Sequence, residues 1–281
     1  MTILNILIIG LMLGSVYGLL STAMGMTWQT SRMLDLAIGA YAAVGGMVAA
    51  AIGLPWGVGA GILAAAALGW CMGLIFLALR KRGSGDTISA AFASVGVLFA
   101  STSFVLYWFG THPQRLDFLS GLWRSGDIMI SRQGSFNALV SCAIALAVTG
   151  IFRYTAVGRL LTASAISART AELTGIPVQK LQWSTFAASG MVAGIAGVLL
   201  VFTRGMSYDL GFGLTIIAFG AMIVLGASGI MTIFLGGVVL GVIEAIATGY
   251  LPAAYASLAP LLFILTALVA GRFGGEKGSR P

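Results

Sequence analysis

Long apolar runs recur along almost the whole of this 281-residue chain. Spanning the hydrocarbon core of a bilayer takes about 20 residues of helix, and a mean hydropathy of +1.02 is far too high for a domain surrounded by water. The sequence therefore predicts an all-α, polytopic integral membrane protein with about nine (eight to ten) transmembrane helices. The runs lie at roughly 3–27, 36–53, 56–80, 87–109, 134–152, 182–203, 213–227, 230–249 and 257–271.

Two of these runs, 36–53 and 213–227, are short for a membrane crossing. We expect them to form tilted or broken helices. The first run has no basic segment before it and no clear cleavage site of small residues, so we expect it to remain as a membrane helix.

Basic residues are placed unevenly between the runs. With the N-terminus outside and the C-terminus cytoplasmic, eleven of the fifteen Lys and Arg residues fall on the cytoplasmic side, which is what the positive-inside rule requires. The net charge of +7 therefore indicates membrane orientation, and nucleic acid is not an expected partner. This topology makes residues 1–281 one transmembrane domain with an exterior loop at 110–133, a cytoplasmic loop at 153–181 and a cytoplasmic tail at 272–281. Its exterior cations are Arg115, Arg124, Arg132 and Arg204.

Sequence motifs for catalysis are missing. The chain has no GxxxxGK[ST] loop for nucleotide phosphates, no HExxH and no GxSxG. Cys71 and Cys142 lie inside apolar runs without the spacing of a metal site. We therefore expect no catalytic, cofactor-binding or metal-binding residues, and any ATP that drives this protein must be hydrolysed by other subunits.

Residues 158–182, GRLLTASAISARTAELTGIPVQKLQ, form an unusually polar stretch in so apolar a chain. Residues 163–174 lack Gly and Pro and predict a helix of about three turns, which Gly175 and Pro177 should end. Ile166 and Leu173 would share one face. The pattern fits either a connector resting on lipid headgroups or a docking helix for a cytoplasmic partner.

Glycines recur four residues apart in several runs, for example at Gly10, Gly14 and Gly18. Such spacing lets helix backbones approach closely in lipid, and we interpret it as packing within one bundle rather than as a dimer face.

Two acidic residues are candidates for function. Asp35 fits a helix cap with a local ion pair to Arg32, or a polar group lining the inner end of a transport path. Glu244 is the one ionisable residue well inside a predicted span. A charge there costs about 3 kcal/mol, so we expect it to face the bundle interior or a hydrated cavity, or else to be protonated. Its role would be either a structural tie within the bundle or a position at the edge of the path.

Three blocks resemble the LivH-type branched-chain amino acid ABC permeases. They are YGLLSTAMGMTWQTSRMLDLAIGAYAAVGGMVA, then VGRLLTASAISARTAELTGIPVQKLQWSTFAASGMVAGIAGVLL, and finally GFGLTIIAFGAMIVLGASGIMTIFLGGVVLGVIEAIATGYLP. Together they cover about two-thirds of the chain in order and spacing. Where that family usually has Asn-Phe-Ala-His-Gly followed by an acid, this chain has Asp-Leu-Ala-Ile-Gly followed by Ala40.

The resemblance implies a permease subunit of an ABC importer for a small polar solute, with branched-chain or related amino acids as the substrate. Its implied partners are two cytoplasmic ABC ATPases, a second permease that is homologous or identical, and an extracytoplasmic binding protein, in a bacterial inner membrane. The alternative is an ATP-independent channel or secondary transporter for a solute such as urea or an amino acid. The coupling residues would be Arg159, Ile166, Ala168, Arg169, Glu172, Leu173, Gly175 and Ile176. Candidates for the path are Asp35, Leu36, Ala37, Ile38, Gly39, Gly226, Gly229 and Glu244.

Overall fold

The computed structural model of this chain describes residues 3–81, 87–119, 121–125, 128–166, 168–173, 175–252 and 258–275. Within these ranges, eleven α-helices and one two-stranded hairpin follow one another along the chain. The elements are α1 (Ile3–Ser31), α2 (Ile38–Ile52), α3 (Trp56–Lys81), α4 (Thr87–Phe109), β1 (Leu122–Ser125), β2 (Ile128–Ser131), α5 (Arg132–Tyr154), α6 (Ala156–Ile166), α7 (Ala168–Leu173), α8 (Val178–Thr203), α9 (Leu210–Val224), α10 (Ile230–Tyr250) and α11 (Ala259–Gly275).

Among the described helices, six are long and apolar enough to cross a membrane, namely α1, α3, α4, α5, α8 and α10. The chain is therefore a multi-pass membrane protein. As expected, the apolar helices α2 and α9 are short, with 15 residues each. At 1.5 Å per residue each extends only about 22 Å, less than the ~30 Å hydrocarbon core. The total of nine crossings and the orientation remain predictions.

The loop at 110–133, called the exterior loop after its predicted side of the membrane, contains two short strands among its described residues, so the chain is mostly rather than entirely helical. Strands β1 and β2 pair antiparallel, with Leu122 opposite Ser131. Gln114 forms an isolated bridge with Met206, in the connection between α8 and α9. The hairpin and the bridge give the backbone N–H and C=O groups of this loop hydrogen-bond partners without a helix.

Glycine contacts hold the helix bundle together. A Cβ placed on Gly14 would lie 2.8 Å from the Cα of Val238, so α1 and α10 pack backbone to backbone. Likewise, a Cβ on Gly69 in α3 would come within 3.1 Å of the Cα of Gly190 in α8. The interpretation of these glycines as packing residues within one bundle is confirmed at these positions. Helix α8 lies at the centre and packs against α1, α2 and α3.

Candidate functional site

The connection between α1 and α2 is non-helical yet buried inside the protein. Its Leu36 N–H donates to the Ser94 hydroxyl on α4 over 3.0 Å, and its carbonyl accepts from Thr215 Oγ1 on α9, also over 3.0 Å. Irregular backbone inside a membrane protein requires such internal partners, because lipid offers none. Side chains from two other helices therefore fix the path of this connection.

Asp35 lies in this connection with no exposed surface. Its carboxylate accepts hydrogen bonds from the Ala37 N–H (3.0 Å) and the Tyr41 hydroxyl (3.1 Å), at the start of α2. Burial raises the pKa of Asp35 to about 6, and these two donors oppose the shift. The expected ion pair with Arg32 is not among the contacts of the described residues, since the Arg32 guanidinium lies over the Trp28 ring, 5.7 Å from its centroid. Ala37 is the residue that precedes α2, and no side chain caps that helix, so the prediction of Asp35 as the helix cap is wrong. The two bonds instead tie the connection to α2, which favours a structural role for Asp35.

Helices α2 and α9 meet at their first turns. The Gly39 N–H donates to Thr215 Oγ1 over 3.1 Å, and a Cβ on Gly39 would overlap the carbonyl oxygen of Gly211. Ala37 and Ile38 have no exposed surface, and Leu36 is partly buried. The five path candidates from Asp35 to Gly39 thus lie together at the junction of α2, α4 and α9.

The other two glycine candidates lie at the far end of α9. Gly226 has φ +81°, a conformation that only glycine adopts without strain, and it ends the helix with a bond from its N–H to the Ile223 carbonyl. Gly229 is the residue before α10. A Cβ on Gly226 would meet open space. These two glycines therefore shape the α9–α10 connection, and they do not lie at the Asp35 junction.

Glu244 on α10 is 9% exposed and has a charged partner. Its Oε1 lies 2.7 Å from Nη1 of Arg204, the residue that follows α8, and the same nitrogen donates to the Tyr17 hydroxyl on α1 over 2.9 Å. The sequence predicts that Glu244 is buried but does not identify its charged partner. Sequence analysis places Arg204 only among the exterior cations. The one feature that could have indicated its role is its position directly after an apolar run.

A cavity of about 400 Å³ lies beside this ion pair. We call it the Arg204–Glu244 cavity. Apart from Tyr17, Arg204 and Glu244, its walls are almost entirely apolar, and Oε2 of Glu244 is buried without a hydrogen-bond partner among the described residues. Arg204 also lines a second cavity of about 510 Å³ between α1, α5 and the exterior loop. The other walls of the Arg204–Glu244 cavity are Leu200, Gly205, Met206, Leu210, Phe212, Gly213, Leu214, Ile216, Ile217, Pro260 and Leu261.

The polar stretch forms α6 and α7, with residue 167 outside the described ranges. The predicted start at residue 163 is wrong, because the helix begins at Ala156. The Thr155 hydroxyl accepts from the Gly158 N–H over 3.1 Å and so caps the first turn. A side chain at position 158 would overlap the carbonyls of Ile151 and Phe152, which explains the glycine there.

The predicted stop at Gly175 is confirmed. Gly175 has φ +83°, its N–H donates to the Glu172 carbonyl, and the Ile176 N–H donates to the Ala171 carbonyl. These two bonds are the pattern of a Schellman motif, in which a left-handed residue terminates a helix.

The predicted coupling residues are spread over this capped segment. Glu172 pairs with Arg80 on α3 at 3.0 Å, and Arg80 also donates to Gln182 over 2.8 Å. Leu173 is 83% exposed, Arg159 is exposed and Ile176 is partly buried. The side chains predicted at Ile166, Ala168 and Arg169 lie outside the described part of the chain.

The chain matches one protein family over residues 6–269, which is nearly its whole length. That family is described as "Branched-chain amino acid transport system / permease component". The chain belongs to this permease family. The family is a transport component rather than an enzyme, in agreement with the resemblance found in the sequence.

Individual permeases of this kind are similar to the chain over part of its length. The high-affinity branched-chain amino acid transport system permease protein LivH of Salmonella typhimurium (strain LT2) is 33% identical over 140 residues, which are 48% of this chain and 46% of that protein. The same permease of Escherichia coli K12 is 32% identical over an equal share. A probable branched-chain amino acid transport permease LivH of Methanocaldococcus jannaschii is 31% identical over 42% of this chain and 39% of its own. Each match covers less than half of the relative's length.

Among solved structures, PsaBC from Streptococcus pneumoniae in complex with Fab has a TM-score of 0.48 to this chain. It shares 14% sequence identity, covering 92% of this chain and 89% of that one.

Proposed function

We propose that this chain is the transmembrane permease subunit of an ABC importer, and that it forms the path for branched-chain or related amino acids. The family match and the names of the similar permeases support this substrate class. The sequence has no loop for nucleotide phosphates, so the energy has to come from separate ATPase subunits.

The observation that carries the proposal is the capped α6–α7 segment. It is fixed at both ends, and its buried Ser164 donates to the Thr30 carbonyl at the end of α1 over 3.4 Å. The Glu172–Arg80 pair ties the same segment to α3. A rigid element linked to two long helices can transmit a movement of the ATPases to the bundle, whereas a flexible loop cannot.

The partners of this segment are two cytoplasmic ABC ATPases. When they close on ATP, they displace α6 and α7, and the connected helices α1 and α3 follow, which switches the path between the two sides of the membrane. A second permease, homologous or identical, completes the membrane part, and an extracytoplasmic binding protein delivers the amino acid. The complex lies in the bacterial inner membrane.

Reconstitution tests the proposal. The neighbouring genes are first searched for ATPases, a second permease and a binding protein. The chain is then purified with the subunits found there, inserted into liposomes, and supplied with the binding protein and L-leucine. We expect uptake that requires ATP and all subunits. Uptake of leucine or urea by this chain alone, without ATP, would contradict the proposal and support the alternative of a channel or secondary transporter.

A further inference from the structure

The ion pair at the Arg204–Glu244 cavity is not a closed structural pair. The Arg204 side chain is 45% exposed although its partner is 11% exposed, so the guanidinium faces open space while the carboxylate is enclosed. Charged groups are costly beside hydrocarbon unless water or another polar group meets them. A polar ligand or water in the cavity would therefore stabilise the pair.

Hydrogen-bonding capacity remains unused on both charged groups. Oε2 of Glu244 is buried without a partner in the described structure, and the described hydrogen bonds of Arg204 all use Nη1. A guanidinium has five N–H donors, and a carboxylate oxygen accepts up to two hydrogen bonds. Arg204 and Glu244 both line this otherwise apolar cavity, and the unpartnered Oε2 is itself buried, so the Glu244 carboxylate has to rotate to present that oxygen to a ligand.

We propose that the Arg204–Glu244 cavity binds the zwitterion of an aliphatic amino acid. On binding, the Glu244 carboxylate rotates so that Oε2 accepts from the ammonium group, and the remaining guanidinium donors of Arg204 bind the ligand's carboxylate. The apolar walls at Leu214, Ile217 and Leu261 surround the side chain. The proposal rests on the proposed function and assigns the substrate a place within this one subunit.

The size and position of the cavity fit this ligand. About 400 Å³ lies in the range of ~300–1,000 Å³ that is usual for small-molecule sites. Arg204 borders both this cavity and the one beneath the exterior loop, so an amino acid entering from the loop side meets the guanidinium first. Opposite charges on one wall and apolar groups on the others distinguish a zwitterion from a fatty acid or an amine.

A thiol-protection experiment tests the site in the assembled transporter. Cys71 and Cys142 are replaced by serine, and Leu261→Cys is labelled with a water-soluble maleimide in lipid nanodiscs. Because only the thiolate reacts and it requires water, labelling reports a hydrated cavity. We expect L-leucine to slow the labelling of Leu261→Cys at least fivefold. Neither 4-methylpentanoate, which lacks the ammonium group, nor 3-methylbutylamine, which lacks the carboxylate, should protect it at the same concentration.

The neighbouring variant Leu262→Cys is the matched control. Leu262 is 60% exposed and does not line the cavity, so leucine should leave its labelling unchanged. Glu244→Gln should raise the leucine concentration that gives half-maximal protection about tenfold, because a hydrogen bond to a charged group is lost. Asp209 is an exposed acid outside the cavity, so Asp209→Asn should leave that concentration unchanged.

Three results would overturn this inference. A thiol at position 261 that never reacts would show that lipid or the second permease fills the cavity. Equal protection by 4-methylpentanoate would show a purely apolar site. ATP-dependent uptake of leucine without any protection of the thiol at position 261 would reject this site but not the proposed function. Absence of ATP-dependent uptake by the wild-type complex would reject the proposed function itself.

Discussion

Nη2 of Arg80 lies 3.0 Å from Oε1 of Glu172, a contact that joins α3 to α7 across 92 residues of sequence. Both side chains are partly exposed, and such pairs contribute only about 0–1 kcal/mol. The pair therefore fixes the orientation of α7 but contributes little to its stability. The orientation leaves Leu173 projecting from the last turn of α7, with 83% of its surface exposed.

Leu173→Asp should abolish docking of the ATPases while the permease still inserts into the membrane. A large exposed leucine on a polar segment is suited to a partner's apolar pocket, and a charge placed there would be buried without a partner. Ala168→Asp, in the same segment, should have the same effect. Co-purification of the ATPases with each variant measures this. The exposed Lys180→Asp is the control, and ATPases that bind at the wild-type ratio to either of the first two variants would contradict the coupling role.

Gly39→Ala should lower the yield of folded permease and its unfolding temperature. The added methyl group would overlap the Gly211 carbonyl, so α2 and α9 would have to separate, a change that typically costs about 1–3 kcal/mol. Gly96→Ala on α4 is the matched control, because a Cβ there meets nothing within 4 Å. Equal unfolding temperatures for both variants in detergent would show that the contact between the two short helices is not tight.

Asp35→Asn should stabilise the protein more at neutral than at acidic pH. Burial raises the pKa of Asp35 from 3.8 to about 6, so the folded protein binds this proton more tightly than the unfolded chain does. Ionisation of Asp35 therefore lowers the free energy of unfolding. This loss grows as the pH rises from about 3.8 to about 6 and is constant above that range. Unfolding temperatures of variant and wild type between pH 4 and 7.5 measure the difference, with the exposed Asp117→Asn as control. A difference that does not change with pH would contradict this account.

Uptake by the Asp35→Asn variant separates the two roles considered for this residue. Asparagine keeps an oxygen that can accept from the Ala37 N–H but carries no charge. The contacts seen with Ala37 and Tyr41 favour a structural role, so we expect uptake within about twofold of wild type. A large loss of uptake at normal expression would place the charge of Asp35 in the transport path.

Glu244→Gln should fold and assemble with its ATPases, whereas Glu244→Leu should assemble poorly. Leucine would leave the half-exposed Arg204 guanidinium without its anion, and losing such a partner typically costs about 1–3 kcal/mol. The double variant Glu244→Leu/Arg204→Met removes both charges and should recover assembly without recovering uptake. Recovery of uptake in the double variant would show that the pair is only a structural tie.

Hydrophobic pattern and local signals predicted much of this structure. Runs of about 20 apolar residues predict the long helices. The short runs 36–53 and 213–227 correspond to the short helices α2 and α9. Gly175 and Pro177 located the end of the coupling segment, because a C-terminal stop is encoded by adjacent residues. The segment starts earlier than predicted, because Gly158 argued against a helix there, whereas the cap at Thr155 starts the helix before it.

Contacts between distant residues could not be predicted in the same way. Arg204 and Glu244 are 40 residues apart, and no sequence pattern around either residue indicates that the two form a pair. The hairpin in the exterior loop was missed because the loop was treated only as a connection between helices. The junction of Asp35 to Gly39 with α4 and α9 depends on three-dimensional packing, so the sequence identified these residues but not their neighbours.

The hydrogen bonds of Thr215 to Leu36 and Gly39 join parts of the chain that are 179 and 176 residues apart. During synthesis from the N-terminus, the α1–α2 connection is made long before its partners on α9 exist. Until Thr215 is made, the Leu36 carbonyl and the Gly39 N–H need another partner such as water, so the start of α2 cannot take its final place in the bundle. Its final insertion is therefore a late event that waits for α9, and a chain truncated before residue 215 should leave α2 accessible to water.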